Sequence, residues 1–415
     1  MLLPFNKQKK LVFYASLGGF LEFYDFVIYA LLAGFISEHF FLFTDKNLAL
    51  LATFSTFAMG YFIRPIGGIV FGHLGDKYGR KKPFVLSVVI MGFSTFLMGC
   101  IPSGQSIGSS AAILLIFLRV LQGFSLGGEI PGSITYVSEI SENRKGLYTA
   151  LLYCGITPGI LLGSLVIEIL YETLNPIQMY TWGWRIPFLL GGLFGLVNYF
   201  LRTRFQELPA FTQIEKHQEI PFFTVVKSHF RSLLAAFFLM LNGSTCTILL
   251  FLFIPTYLTE FLHYSPTIVS HHVSLFLFVC IILYPIFGFL VDKFFAPKFL
   301  IIFSISTVIF SFPIFYLYTQ GILLPSFVMS ALLHGMSWGI IPSTLARLFP
   351  TDIRYSGIGT SYNFAYGIFG SITPAIAILL IHISNHLVTP AFILLCTGLL
   401  SFAGALLARQ ILMRK

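Results

Sequence analysis

Five ionisable residues stand inside long apolar runs of this chain: Glu22, Asp25, Arg64, Arg119 and Glu129. Each costs about 2.5–3.5 kcal/mol in hydrocarbon on insertion scales, so such groups face one another or a wet cavity. Glu22 and Asp25 are three residues apart, on one face of a helix. Burial favours a protonated carboxyl, whereas a nearby guanidinium favours the ionised form. A carboxylate that alternates between the two settings is a proton switch. The expectation is that Asp25 pairs with Arg119 when ionised and releases it when protonated, with Glu22 as a second proton-coupling candidate. A static Asp25–Arg119 pair that only ties two helices together is the other reading. Arg64 either meets an anionic group of a solute or pins its helix to the eleventh apolar run. Glu129 lies ten residues past Arg119, about 15 Å along a helix. It is either an exit relay for a proton or a structural partner of a basic residue.

The second half of the chain is neutral inside its apolar runs. It offers Asn242, Ser244, Thr245 and Thr247, then His334 and Trp338, then Tyr362, Asn363 and Tyr366. Tyr362 and Tyr366, four apart, share a helix face. Asn242, His334, Trp338, Tyr362, Asn363 and Tyr366, with Arg64 and Gln122 opposite, form the expected wall for a solute. Aromatic faces also attract a quaternary ammonium. The competing reading is that these polar residues only glue helices together. His334 is either a satisfied hydrogen-bonding group or a proton carrier. No nucleophile–base set, phosphate loop or metal-ligand spacing is present, so no enzyme, cofactor or metal site is expected.

The elements that hold these residues follow from composition. Hydrophobic residues make up 56% of 415 residues, mean hydropathy is +0.87, and 48 residues are Phe. Twelve apolar runs between residues 11 and 409, most near 20 residues, predict an all-α integral membrane protein with twelve spans. All but four of the 25 Lys and Arg fall at the ends of these runs on one side; Lys46 is opposite, and Arg64, Arg119 and Arg185 lie within runs. That asymmetry places both termini in the cytoplasm. The net charge of +9 therefore reads as topology and contact with anionic membrane lipid, not as a nucleic-acid surface. The cysteines Cys100, Cys154, Cys246, Cys280 and Cys396 are scattered through apolar runs and give no disulfide or metal framework.

One stretch, Gly72-His-Leu-Gly-Asp-Lys-Tyr-Gly-Arg-Lys-Lys82, holds five charges in eleven residues and reads as an aqueous loop between the second and third spans. It recurs as Gly288-Phe-Leu-Val-Asp-Lys-Phe294, at a constant offset of 216 residues. Gly123-Phe-Ser-Leu-Gly127 recurs as Gly335-Met-Ser-Trp-Gly339 at an offset of 212. Same-direction repeats of six spans mark a transporter with a midplane site between two halves. The expected units are residues 1–202, carrying proton coupling, a cytoplasmic linker at 203–228, and residues 229–415, carrying the neutral substrate wall. Asp76 is expected to dock at the start of the eleventh span near Ser356, because helix N-termini attract negative charge. Arg80 would pair with Glu139 or Glu142. With Asp292, the repeat counterpart of Asp76, these residues form the expected inner gate.

Gly72–Lys82 resembles the loop motif of the major facilitator superfamily. Several stretches are similar to its metabolite:proton symporter family, which includes proline/betaine, 2-oxoglutarate, citrate and shikimate carriers. They are Phe20-Leu-Glu-Phe-Tyr-Asp-Phe26, Arg64-Pro-Ile-Gly-Gly68, Arg119-Val-Leu-Gln-Gly-Phe-Ser-Leu-Gly-Gly-Glu129, Gly183-Trp-Arg-Ile-Pro-Phe188, Glu207-Leu-Pro-Ala-Phe211 and Phe349-Pro-Thr-Asp-Ile-Arg-Tyr-Ser-Gly357. The chain departs from that pattern at Gly19 and Phe23, where Asn and Trp are frequent, and at Pro131, where Gly is usual. The resemblance implies two pseudo-symmetric six-helix halves and proton-driven uptake of a small organic solute, a carboxylate, amino acid or betaine, across a bacterial cytoplasmic (inner) membrane. Two alternatives share the fold: a proton-independent exchanger or uniporter of an organic acid, and a membrane sensor without transport. The sequence carries no signal for oligomeric state.

Overall fold

The computed structural model describes residues 5–140, 143–203, 221–294 and 296–414, and these are all-helical apart from short connections. Twelve helices are long and apolar enough to cross a membrane. They are α1 Gln8–Leu31, α2 Leu48–Tyr78, α3 Lys81–Cys100, α4 Ser110–Ile140, α5 Lys145–Thr173 and α6 Gly183–Thr203. The second set is α7 Phe230–Phe261, α8 Thr267–Lys293, α9 Pro297–Thr319, α10 Leu323–Leu348, α11 Thr351–Ser384 and α12 Ala391–Met413. With no water in the bilayer core, each backbone amide must bond within its own segment, which is why apolar runs of this length fold as helices.

Packing divides these helices into two sets. In the first, α1 packs on α5, α2 on α4, and α3 on α4 and α6. In the second, α7 and α9 pack on α12, and α8 and α9 on α10. The most extensive contacts between the sets are α2 with α11 and α5 with α8, with α5 also meeting α10 and α4 meeting α11. The second of these seams is a close backbone approach: a Cβ added to Gly146 would run into the Gly288 carbonyl. Large apolar residues at the periphery, such as Phe93, Ile113, Phe278 and Ile309, are exposed. In a membrane they form a lipid-facing belt.

The charged stretch after α2 differs from the aqueous loop expected there. The helix runs on to Tyr78 and the next starts at Lys81, leaving only Gly79 and Arg80 between them. Gly79 turns the chain at φ +104°, a conformation that favours glycine. Lys77 and Lys82 are exposed, but Asp76 and Arg80 are buried, at 5% and 1% exposure. Burial is tolerated because partners on other helices satisfy both charges.

Of the expected linker at 203–228, the described residues are Thr203, which ends α6, and 221–228. Pro221–Ser228 is a helix packed against α2 and α11, so it is part of the bundle. Residues 204–220, Glu142 and the side chain of Glu22 lie outside the described residues. Neither α7 nor α11 is uniform: Ile248–Phe253, Tyr257–Phe261 and Phe364–Gly370 are π-helical. Such wider turns concentrate at functional sites.

Candidate functional site

A small cavity of about 30 Å³ lies between the helix sets and is lined by Asp25, Arg64, Arg119 and Gln122. Phe57, Tyr61, Tyr362 and Tyr366 supply aromatic walls. At that volume the cavity holds water-sized groups and is narrow in this structure.

Asp25, on α1, is buried at 5% exposure. Its Oδ2 accepts from Thr95 Oγ1 at 2.6 Å and from Gln122 Nε2 at 3.2 Å. Gln122 Nε2 also donates to Thr95 Oγ1 at 2.9 Å, and Gln122 Oε1 accepts from Arg119 Nη1. The Arg119 guanidinium lies 3.6 Å from the Tyr29 ring centroid and 5.0 Å from that of Phe57. The expected direct Asp25–Arg119 pair is therefore corrected, because Gln122 stands between them. An amide presents an acceptor to one neighbour and donors to another, so it bridges a cation and a carboxylate. Three polar atoms here have no hydrogen-bond partner among the described residues: Asp25 Oδ1, Arg119 Nε and Arg119 Nη2. An unsatisfied buried group costs about 1–3 kcal/mol, so the unsatisfied Arg119 donors suit an anionic group of a ligand.

Arg64, on α2, donates from Nε to Asn363 Oδ1 on α11 at 3.4 Å. Its guanidinium sits 5.3 Å from the Tyr366 ring, 5.4 Å from Tyr61 and 5.8 Å from Tyr362. The Tyr362 and Tyr366 rings are stacked, 5.5 Å apart at 2°. Arg64 thus both lines the cavity and joins the two helix sets.

Four other expected wall residues are corrected. Asn363 Nδ2 donates to the Gly127 and Gly359 carbonyls and its Oδ1 accepts from Arg64 Nε, so the amide is used in helix packing. Asn242 is bound to Thr307 and Thr397, which places it among α7, α9 and α12. His334 shares a 3.0 Å hydrogen bond with Tyr284 and is flanked by Phe251 and Phe276. Trp338 donates to Thr247 at 2.8 Å and stacks on Tyr153 with centroids 4.4 Å apart. None of the four is among the cavity-lining residues. Trp338 stands behind the wall instead, 6.2 Å and 6.3 Å from the Tyr362 and Tyr366 rings.

The gate candidates come together at the bundle end where α1 begins and α12 finishes. Asp76 accepts from the backbone amides of Ser356 at 2.7 Å and Tyr355 at 3.1 Å, at the start of α11. Asp292 accepts from the amides of Gly146 at 2.7 Å and Leu147 at 2.8 Å, at the start of α5, and pairs with Arg347 at 2.9 Å. Arg80 contacts Asp76 at 2.5 Å and Glu139 at 3.3 Å, and also donates to the Thr351 carbonyl. Burial favours a neutral Arg80, but the Glu139 and Asp76 carboxylates override it and raise its pKa. Glu139 also holds Arg354 at 2.8 Å. Midway between gate and cavity, Glu129 pairs with Arg202 and accepts from Ser87 at 2.9 Å, which makes it a structural partner of a basic residue.

A family model described as Major Facilitator Superfamily matches residues 15–374, with a second match at 233–412. The chain belongs to the major facilitator superfamily. It is 33% identical to the glycine betaine/proline/ectoine/pipecolic acid transporter of Dickeya dadantii, over 98% of this chain and 84% of that protein. It is 34% identical to the proline/betaine transporter of Salmonella typhimurium, over 94% of this chain and 81% of that one. Among solved structures, the proton:xylose symporter XylE bound to 6-bromo-6-deoxy-D-glucose aligns with TM-score 0.81 at 17% identity, covering 98% and 96% of the two chains. FucP in its outward conformation aligns with TM-score 0.65 at 14% identity, covering 95% and 98%. At those identities the structures establish the fold alone. This major facilitator protein is a multi-pass membrane transporter of a solute, resembling proline/betaine carriers, and not an enzyme.

Some site residues of this major facilitator chain carry little sequence signal. Thr95 is one hydroxyl in an apolar span, and only the crossing of α1, α3 and α4 brings it to Asp25. Tyr29 and Phe57 are two aromatics in a chain that is 17% aromatic. Tyr61 was accessible in principle, since it lies three residues before Arg64 and so on the same face of α2.

Proposed function

We propose that the chain is a proton-coupled symporter that takes up a small zwitterionic solute of the proline or betaine type by alternating access, across a bacterial inner membrane with both termini in the cytoplasm. The observation that carries this reading is the Asp25–Gln122–Arg119 chain, a buried carboxylate and a buried guanidinium with unsatisfied atoms in one cavity. In it Asp25 is the proton carrier. Arg119, and Arg64 through the solute carboxylate, provide positive charge, while Tyr61, Tyr362 and Tyr366 offer ring faces to the ammonium. Residues 1–202 carry the proton and residues 229–415 the aromatic wall. Asp76, Arg80, Glu139 and Asp292 hold the cytoplasmic side shut. The proline and betaine relatives support the solute class, and the basic residues at one end of the bundle support the orientation.

The test is uptake of labelled proline and glycine betaine into proteoliposomes, with and without an imposed pH gradient. Accumulation driven by an acidic exterior, together with counterflow in its absence, is expected. Asp25→Asn is expected to retain counterflow while losing gradient-driven accumulation. Counterflow with no response of accumulation to the gradient would identify an exchanger or uniporter. Binding without either flux would identify a sensor.

A further inference from the structure

Asp25 sits against a hydroxyl that has two places to send its proton. Thr95 Oγ1 lies 2.6 Å from Asp25 Oδ2 and 3.0 Å from the backbone carbonyl of Met91, one turn earlier on α3. Gln122 Nε2 donates to the same oxygen at 2.9 Å. A threonine hydroxyl has one proton and two lone pairs. With Asp25 ionised, that proton points at the carboxylate. With Asp25 protonated on Oδ2, the carboxyl O–H donates to Thr95 Oγ1 and the threonine proton turns to the Met91 carbonyl. The proton enters from, and returns to, water in the cavity, and no other bond is made or broken.

Gln122 cannot serve as this two-way partner. Arginine only donates, so Arg119 requires the amide oxygen and fixes the Gln122 nitrogen toward Asp25 and Thr95. Nor does the other carboxylate oxygen offer an alternative. Asp25 Oδ1 abuts Gly191 of α6, with no hydrogen-bond partner among the described residues, so a proton there would have nowhere to donate. The described charged or titratable groups acting on Asp25 are Arg119 from α4 and Tyr24 on its own helix. The neighbouring α3 and α6 present Thr95, Met91 and Gly191, none of them titratable.

We infer that Thr95 is a positioning residue of the proton site, whose hydroxyl reverses direction so that Asp25 gains and loses a proton without orphaning a buried donor. This rests on the symport reading above. The bond Thr95 gives to the ionised carboxylate is charge-assisted and roughly twice as strong as the one it accepts from the neutral form. Removing the hydroxyl therefore penalises the ionised form more.

The experiment measures the pH profile of gradient-driven uptake in proteoliposomes for the parent, Thr95→Val, Thr95→Ser and Thr95→Cys. Valine keeps the shape and removes both bonds, so the half-point is expected to move to higher pH by on the order of one unit, a tenfold change in proton affinity. Serine keeps the rotor and is expected to leave the profile in place. Cysteine, a weaker donor, is expected to fall between them, which keeps the test available should the valine variant fail to insert. A valine or cysteine profile superimposable on the parent's overturns the inference, as does a serine shift as large as valine's. A parent profile that is flat with pH overturns the symport reading itself, and this inference with it.

Discussion

Replacing Asp76 by Asn tests the reading of the gate. In the structure this carboxylate receives two backbone amides from the start of α11, at 2.7 Å and 3.1 Å, so both bonds cross between the helix sets. Hydrogen bonds to charged groups contribute about 1.5–3 kcal/mol and neutral ones about 0.5–1.5 kcal/mol. Asparagine is nearly isosteric but keeps one acceptor oxygen, so one crossing bond weakens and the other is lost. The favourable placement of a negative charge at a helix N-terminus goes too. Arg80 retains Glu139 and the Thr351 carbonyl, so it is not stranded. Weakening one bond by about 1 kcal/mol and losing the other destabilises the closed arrangement by about 2–4 kcal/mol. At tenfold per 1.4 kcal/mol, even the lower figure shifts the closed population by about 30-fold. The cavity residues are untouched. Initial uptake rates in proteoliposomes as a function of solute concentration should therefore show Vmax reduced at least about tenfold with KM little changed. Equilibrium binding of the solute should match the parent. An unchanged Vmax at equal reconstitution, or a large rise in KM with Vmax intact, would refute the latch and place Asp76 in solute binding instead.

Other outcomes follow from the geometry. Breaking the buried Glu129–Arg202 pair with Arg202→Leu leaves a carboxylate stranded and should cost about 3–5 kcal/mol; a double Glu129→Leu, Arg202→Leu variant should recover much of the lost thermal stability in detergent. Tyr366→Ala removes a ring of the cavity wall and should raise KM, while Asn242→Leu, away from the cavity, should lower thermal stability with KM unchanged. If Asn242→Leu instead raised KM as far as Tyr366→Ala, the lining assigned here would be wrong. In a pH gradient, the Asp25→Asn protein should hold accumulation near its no-gradient level at every pH.

Architecture was legible in the sequence because membrane spans are written in composition: twenty apolar residues in a row have one solution in a bilayer. The repeat was legible for the same reason, since Asp76 and Asp292 stand out against apolar surroundings. Contacts set by charge were legible too, and Asp76 lies on the amides of α11 where a carboxylate is expected to lie. Neutral polar residues were not. Asn242, Asn363 and His334 carry the same types as a solute wall, but whether an amide faces a cavity or a neighbouring helix depends on rotation about the helix axis. In a span apolar on all sides, no hydrophobic stripe reveals that rotation. The intervention of Gln122 between Asp25 and Arg119 was hidden for a related reason. Spacing along α4 gives height but not the distance across to α1.

The two acid-to-amide contacts are reciprocal: an acid from the first helix set caps a helix of the second, and an acid from the second caps a helix of the first. A single clasp would leave the halves free to swivel about it. Two clasps, at two separate seams, fix the rotation as well as the separation. In the alternating access proposed above, releasing one would leave the other as an axle, so that the halves would open by tilting about a defined line rather than by drifting apart. Duplication of one ancestral half, as the sequence repeats imply, would supply such a pair of fastenings from a single set of residues, because each copy would bring both the hook and the eye.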